Sequence, residues 1–296
     1  MIKDHDIIDE RYRIIKEIGE GGFAYVYQAE DLITGKEIAL KIIKETAIKS
    51  KDNVTRFERE ARASASLNHP NIVRVINIGY HQNLPYMASE LIKGKTLKGL
   101  LDEQKRFGFK KACEIMFQLC EAVAFAHNSL VIHRDIKPDN VFLTPDETIK
   151  LGDFGIAFFE NSRRVTKSQV IIGSVHYLPP EVTNGQSPTF KSDIYSLGIT
   201  FFELITGKVP FEGNNQITVA MRHIKEKFPS PRQWIPSTPR VIEKIILKAC
   251  RKNPNDRYRS VLELQRDIKE CLDHPKLITP KRSFWARLLG LKVDEV

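Results

Sequence analysis

Apolar positions in the first ninety residues fall in short runs alternating with polar ones, the period of half-buried strands. "RYRIIKEIG" (Arg11–Gly19) and "AYVYQAE" (Ala24–Glu30) place aromatic and β-branched residues on either side of a glycine cluster. They predict a hairpin-like pair, with "GKEIALKII" (Gly35–Ile43) as a third strand. A helix is expected over Asp52–Asn68, capped by Asp52 or Asn53 and ended before Pro70. "IVRVINIGY" (Ile72–Tyr80) and "LPYMASELI" (Leu84–Ile92) predict two more strands. The N-terminal portion, about residues 1–90, therefore reads as a small sheet with one helix against it.

From about Lys95 the period lengthens. In Phe109–Asn128 the apolar residues Ala112, Ile115, Met116, Leu119, Val123 and Ala126 recur at steps of three and four, as a core-facing helix requires. "SDIYSLGITFFELITG" (Ser192–Gly207) is apolar nearly all round, which predicts a central helix closed by Gly207. Further helices fit Asn215–Glu226, Arg240–Lys252 and Ser260–Leu272. The boundary between the two portions falls near Leu91–Lys95. The folded unit is expected to run to about residue 274, with 275–296 as a separate tail.

Composition narrows the class of protein. With 296 residues and 42% hydrophobic content, the chain can build about two ordinary domains or one large unit with two cores. No apolar run approaches the roughly 18 residues of a membrane span, and the opening "MIKDHDIIDERYRIIKE" lacks the apolar core of a secretory signal. A soluble, cytoplasmic protein is the expectation. Cys113, Cys120, Cys250 and Cys271 include no CxxC pair, which argues against a zinc or thioredoxin-like site. Cys113 and Cys120, seven residues apart, are expected to share a buried helical face. Lys and Arg outnumber Asp and Glu by 46 to 37, a net charge of +9. This excess permits nucleic acid, anionic membrane or phosphate partners without choosing among them.

The candidate chemistry lies in four stretches. In "IGEGGFAYV", Gly19, Gly21 and Gly22 let backbone amides approach a phosphate closely, although a plain hairpin turn explains them equally well. Lys41, among Ile38, Leu40 and Ile42, either finds an anionic partner, with Glu60 a candidate, or faces solvent. "SELIKGKT" ends like a P-loop, but Ser89 stands where that motif needs its first glycine. "HRDIKPDN" (His133–Asn140) and "LGDFGIA" (Leu151–Ala157) supply the richest set. Asp135 could take a proton from a hydroxyl, Lys137 could neutralise a moving phosphate, and Asn140 and Asp153 offer hard oxygens suited to Mg2+. Together these roles fit phosphoryl transfer.

In order and spacing, "GEGGFAYV", "IALK", Glu60, "HRDIKPDN", "DFG", "LPPE", "SDIYSLG" and "NPNDRY" resemble the protein kinase signature set across Tyr12–Leu272. The resemblance implies an α+β, two-lobed kinase fold over residues 1–274, with a small antiparallel-sheet N-lobe carrying one helix, a larger and mainly helical C-lobe, and ATP in the cleft. It implies that Lys41 holds the α- and β-phosphates and pairs with Glu60, that Asp135 is the base, and that Lys137 meets the γ-phosphate. Asn140 and Asp153 would bind Mg2+, with Mn2+ a second candidate. Ile18, Gly19, Glu20, Gly21, Gly22 and Val26 would cover the nucleotide, Ala39 would line the adenine pocket, and Glu90 to Ile92 would form the hinge.

Lys137 and "GSVHYLPPE", where Ser174 would bridge the base and the lysine, match the serine/threonine form of the family. The implied partners are protein substrates with Ser or Thr acceptors. More narrowly, "RFEREARASASLNHPNIV", "VIHRDIKPDN" and "GSVHYLPPE" resemble the bacterial Hanks-type kinases, above all the catalytic domains of PASTA-repeat receptor kinases. Three positions depart from the pattern: Ala24 replaces the third glycine of the flap, Pro179 the alanine of "APE", and Ser89 the usual larger gatekeeper. Glu181 is retained and is expected to pair with Arg257.

Arg134 before Asp135 implies control by phosphate on the activation segment, with Thr166 and Ser168 the expected sites, modified in trans through a transient homodimer. In the tail, Phe284, Trp285, Leu288 and Leu289 recur at helical spacing beside Lys281, Arg282, Arg287 and Lys292. That pattern fits peripheral contact with an anionic membrane, a partner, or packing on the C-lobe. Two other readings are a pseudokinase scaffold that binds nucleotide without transferring phosphate, which intact Lys41, Asp135, Asn140 and Asp153 oppose, and a nucleic-acid binder, which charge alone suggests and no motif supports.

Overall fold

Strand alternation places Tyr12, Ile14, Tyr27, Ile38, Leu40 and Ile42 beneath one face of an antiparallel sheet, each 3% exposed or less. The computed structural model describes residues 2–22, 24–48, 51–154 and 175–279, without the side chains of 51–54, 56, 59 and 60. The sheet holds β1 (Ile7–Ile8), β2 (Tyr12–Glu20), β3 (Ala24–Asp31), β4 (Lys36–Ile43), β5 (Val75–His81) and β6 (Leu84–Glu90), in the order β1-β2-β3-β4-β6-β5. The single helix α1 (Lys51–Ala65) packs Phe57 and Ala61 against Ile43 and Met87, a separate small core.

Two sequence expectations shift here. Helix α1 begins at Lys51, so Asp52 and Asn53 lie inside its first turn and do not cap it. The strand expected from Ile72 starts at Val75. The residues before it are drawn to the second lobe: Val73 N donates to Leu151 O at 2.9 Å, and Leu151 N donates to Asn71 O at 2.8 Å. An edge expected to belong to one sheet thus fastens the two lobes together.

The second lobe begins with elements too short for periodicity to reveal. β7 (Lys95–Thr96), β8 (Val141–Leu143) and β9 (Ile149–Leu151) form a three-stranded sheet. Between β7 and β8 run α2 (Leu97–Gln104) and α3 (Phe109–Asn128). Thr96 caps α2, its Oγ1 accepting from Gly99 N at 3.1 Å. Then follow α4 (Pro180–Thr183), α5 (Phe190–Thr206), α6 (Gln216–Lys225), α7 (Arg240–Ala249) and α8 (Val261–Asp273).

The all-round apolar helix is central as expected: in α5 every residue from Ser192 to Thr206 is buried. Its start is fixed by a reciprocal cap between Thr189 and Ser192. Its end is Gly207, at φ 71°, where a Cβ would fall 2.1 Å from Lys105 O, so no other residue fits without backbone movement. All four cysteines are buried and unpaired, Cys113 and Cys120 on the same inner face of α3. Among the described residues no helix is long and apolar enough to cross a membrane.

Candidate active site

The loop His133–Asn140 links α3 to β8 and is suspended from α5 by one carboxylate. Asp193, 1% exposed, accepts from His133 N and Arg134 N at 2.9 Å each and from His127 Nε2 at 2.8 Å. These bonds hold Arg134 at φ 73°, a left-handed conformation that arginine does not adopt unaided. His133 is fully buried, which pushes its pKa down despite the acids nearby. Its Nδ1 accepts from Asp135 N at 3.2 Å, so Nε2 carries the hydrogen donated to Gly152 O at 2.9 Å. The ring also lies 4.5 Å from that of Phe154. The histidine therefore ties the loop to the segment that carries Asp153.

Asp135 stands at the centre of a small polar network. Its Oδ2 accepts from Lys137 Nζ at 2.7 Å and Asn140 Nδ2 at 2.9 Å, and Asn140 Nδ2 also donates to Asp135 O at 2.8 Å. With its nitrogen committed to Asp135, Asn140 has Oδ1 left as its acceptor atom. Asp153 follows β9 at φ 55° and meets Lys41 Nζ at 2.6 Å. Burial acts to raise the Asp153 pKa, but the charge and hydrogen bond of Lys41, with His133 and Lys137 beyond, outweigh it and hold the pKa below the ordinary carboxylate value. The carboxylate is 46% exposed toward the cleft, whereas Lys41 is 17% exposed.

On the N-lobe side, register sets which residues share a face. Lys41 opposes Val26 on β3 and Met87 on β6, and Val26 opposes Gly19 on β2. Ala39 opposes Ser89, whose Oγ lies 3.5 Å from Ala39 O. These positions form one strip beside Lys41, and Ile18, 44% exposed, lies at its rim. The flap tip is closed by Gly21 N donating to Ala24 O at 2.9 Å, followed by Gly22. Glu20 is different: its carboxylate is bound to Lys44 at 2.6 Å, on the other face of the sheet.

At the end of β6, Glu90 Oε1 accepts from Arg74 N at 2.9 Å and from Lys150 Nζ of β9 at 2.7 Å, a tie between the lobes just before Leu91 and Ile92. Glu181 and Arg257 form the expected pair, with two bonds of 2.8 and 2.7 Å in a buried setting. The side chain of Glu60, and residues Thr166, Ser168 and Ser174, lie outside the described residues, as does the tail beyond Thr279. The partner found for Lys41 is Asp153. Sequence reasoning missed Asp193, Lys150 and Lys44. Only Asp193 lay within one of the motifs, and an acid on a helix apolar nearly all round was the available signal.

The donor set fits a hard divalent cation. Asp153 is kept ionised and open to the cleft, and Asn140 presents an oxygen. Among the described residues no cluster of three or more His, Cys, Asp and Glu gathers. Mg2+ held by one or two protein oxygens takes the rest of its shell from phosphate and water, which suits this arrangement.

A curled antiparallel sheet over a helical lobe, with Lys41–Asp153 across the cleft and Asp135–Lys137–Asn140 on its floor, defines a protein kinase domain. The family model described as "Protein kinase domain" matches residues 12–277, and the chain belongs to that family. It is 42% identical over 270 residues to serine/threonine-protein kinase PrkC of Bacillus subtilis, covering 91% of this chain and 42% of that protein. It is 33% identical over 283 residues to serine/threonine-protein kinase PknB of Mycobacterium tuberculosis, covering 92% and 45%. The chain thus spans less than half the length of these curated relatives. The crystal structure of the PknI kinase domain of Mycobacterium tuberculosis shares the fold, with a TM-score of 0.75 at 22% identity over 91% of this chain and 99% of that one.

Proposed function

We propose that the chain is an active serine/threonine protein kinase that transfers the γ-phosphoryl group of ATP to protein hydroxyls. The observation that carries this reading is the Asp135 carboxylate, fixed by Lys137 and Asn140 on the floor of a cleft that the Lys41–Asp153 pair bridges. Asp135 accepts the proton of the Ser or Thr hydroxyl as the oxygen attacks, and Lys137, already beside it, balances the charge of the moving phosphoryl group. Lys41 holds the α- and β-phosphates, exchanging its bond to Asp153 for phosphate oxygens. Asn140 and Asp153 hold Mg2+, which when bound neutralises charge developing on the phosphates. Gly19, Gly21, Gly22 and Val26 cover the nucleotide, and Ala39 with Glu90 to Ile92 seats the base. The serine/threonine names of PrkC and PknB and the position of Lys137 support the acceptor class.

Activation follows from phosphate on Thr166 or Ser168, read by Arg134, with Ser174 bridging Asp135 and Lys137 and modification occurring between two copies. For the basic, apolar tail from Lys281 to Lys292 we propose contact with an anionic membrane surface or a partner, with packing on the C-lobe or a disordered end as the alternative. Radiolabel transfer from ATP to the chain or to a generic basic protein, compared with Asp135→Asn, tests the central reading. Transfer lost in the variant is expected; no transfer by wild type, phosphatase-treated or not, overturns it. Full activity of Thr166→Ala with Ser168→Ala after phosphatase treatment would remove the activation scheme, and equal vesicle co-sedimentation with and without residues 281–296 would remove the membrane contact.

A further inference from the structure

A row of side chains crosses the tip of the flap. Glu20 ends β2, Tyr25 opposes it on β3, and Ile42 opposes Tyr25 on β4. Cross-strand partners share a face of the sheet. Val26 and Lys41, one residue along, occupy the other face. Tyr25 packs with the buried cluster that contains Leu40 and Ile42, which fixes this row as the side turned away from the cleft.

Lys44, just beyond β4, reaches back onto the row. Its ammonium bonds Glu20 Oε1 at 2.6 Å and lies 4.5 Å from the centre of the Tyr25 ring. The lysine is 17% exposed and the glutamate 56%, so Glu20 is held by this contact and not by burial.

We propose that Lys44 is a positioning residue for the nucleotide: it draws the Glu20 carboxylate to the back of the flap, so that the tip offers backbone N–H groups and no negative charge to the triphosphate. The proposal rests on the ATP-binding reading above. An acid in a phosphate-covering flap would otherwise be a liability, because charges closer together than the roughly 8 Å screening length at physiological salt repel one another. The contact joins residues 24 apart in sequence, one ending β2 and the other just past β4, which hid it from motif reading.

The test measures binding of Mg·ATP and of adenosine to the full chain. Lys44→Met and the milder Lys44→Gln are each expected to weaken Mg·ATP by about fivefold, the scale of one unscreened charge at the edge of a polyanion site. Adenosine, which carries no phosphate, is expected to change less than twofold. Adding Glu20→Gln to Lys44→Met recovers most of the Mg·ATP affinity, and Lys44→Arg keeps it. Equal losses for both ligands, or no recovery in the double variant, overturn the proposal. A wild-type chain that bound adenosine but gained nothing from the phosphates would overturn the nucleotide reading itself.

Discussion

Lys41 and Asp153, 112 residues apart in the chain, meet at 2.6 Å across the cleft. Each supplies what the other needs: an ammonium on a largely buried strand gains an anion, and a carboxylate stays ionised where packing would favour its acid form. Replacing Lys41 by Met removes both the phosphate contact and the counter-charge of Asp153. Phosphoryl transfer is expected to fall by about 10²–10³-fold, the usual loss when one charged donor leaves such a site. Single-turnover rates at saturating Mg·ATP check it, and a loss below tenfold would contradict the role.

Asp193 sets the loop that carries Asp135. An asparagine there keeps the shape but replaces one acceptor oxygen by a donor, so that His133 N or Arg134 N loses its partner. Displacing the base by about 1 Å costs on the order of 10²-fold in rate. Asp193→Asn is therefore expected to lower kcat by about that factor and to weaken Mg·ATP binding by clearly less, since Lys41, the flap and the hinge lie elsewhere and only Asn140 and Lys137 share the displaced loop. Parallel kinetic and binding titrations separate the two effects.

His223 makes stability depend on pH. It is fully buried, its Nδ1 lies 3.0 Å from Tyr195 Oη, and burial pushes its pKa down from 6.5 to about 3. The unfolded imidazole takes up a proton near pH 6.5 while the folded one stays neutral, so this contribution is complete above 6.5 and declines as pH falls toward 3. The slope is about 1.4 kcal/mol per pH unit within that window. Urea unfolding at pH 7.5, 6.5 and 5.5 is expected to show the gap between wild type and His223→Gln closing with acid; a constant gap would refute the assignment.

Ser89 stands beside Ala39 where most kinases carry a larger residue. With Ala39 proposed as part of the adenine site, so small a side chain opposite it predicts room behind that site. An adenine-site inhibitor with a bulky substituent is expected to lose about tenfold or more in potency against Ser89→Met, in line with filling a shaped apolar pocket. Identical inhibition of both proteins would show that no such space exists.

Much of this architecture was written locally. Strands β2, β3 and β4 and helices α3 and α5 were legible because each buries a long face whose period survives in the sequence. Elements β7, β8 and β9 were not, because two or three residues carry no period and their order comes from pairing across the chain. The loop from His133 to Asn140 was legible for the same reason as the helices: its acid, base and amide are neighbours in sequence. What suspends that loop was not, since Asp193 is 60 residues from His133, and Lys150 is as far from Glu90. Lys41 shows the limit of reading by sequence distance: its contact with Asp153 spans 112 residues, and the fold of β9 against the N-lobe brings the two into range. The expected pairing with Glu60 falls on a side chain outside the described residues.

Arg257 has five N–H donors, and all are used: on Arg251 O, on Glu181 Oε1 and Lys191 O, and on Glu181 Oε2 and Lys252 O. A lysine, with its donors on one atom, could not span those acceptors. This position therefore tolerates no basic substitute, and a lysine found here in a relative would signal a lobe held together by other means.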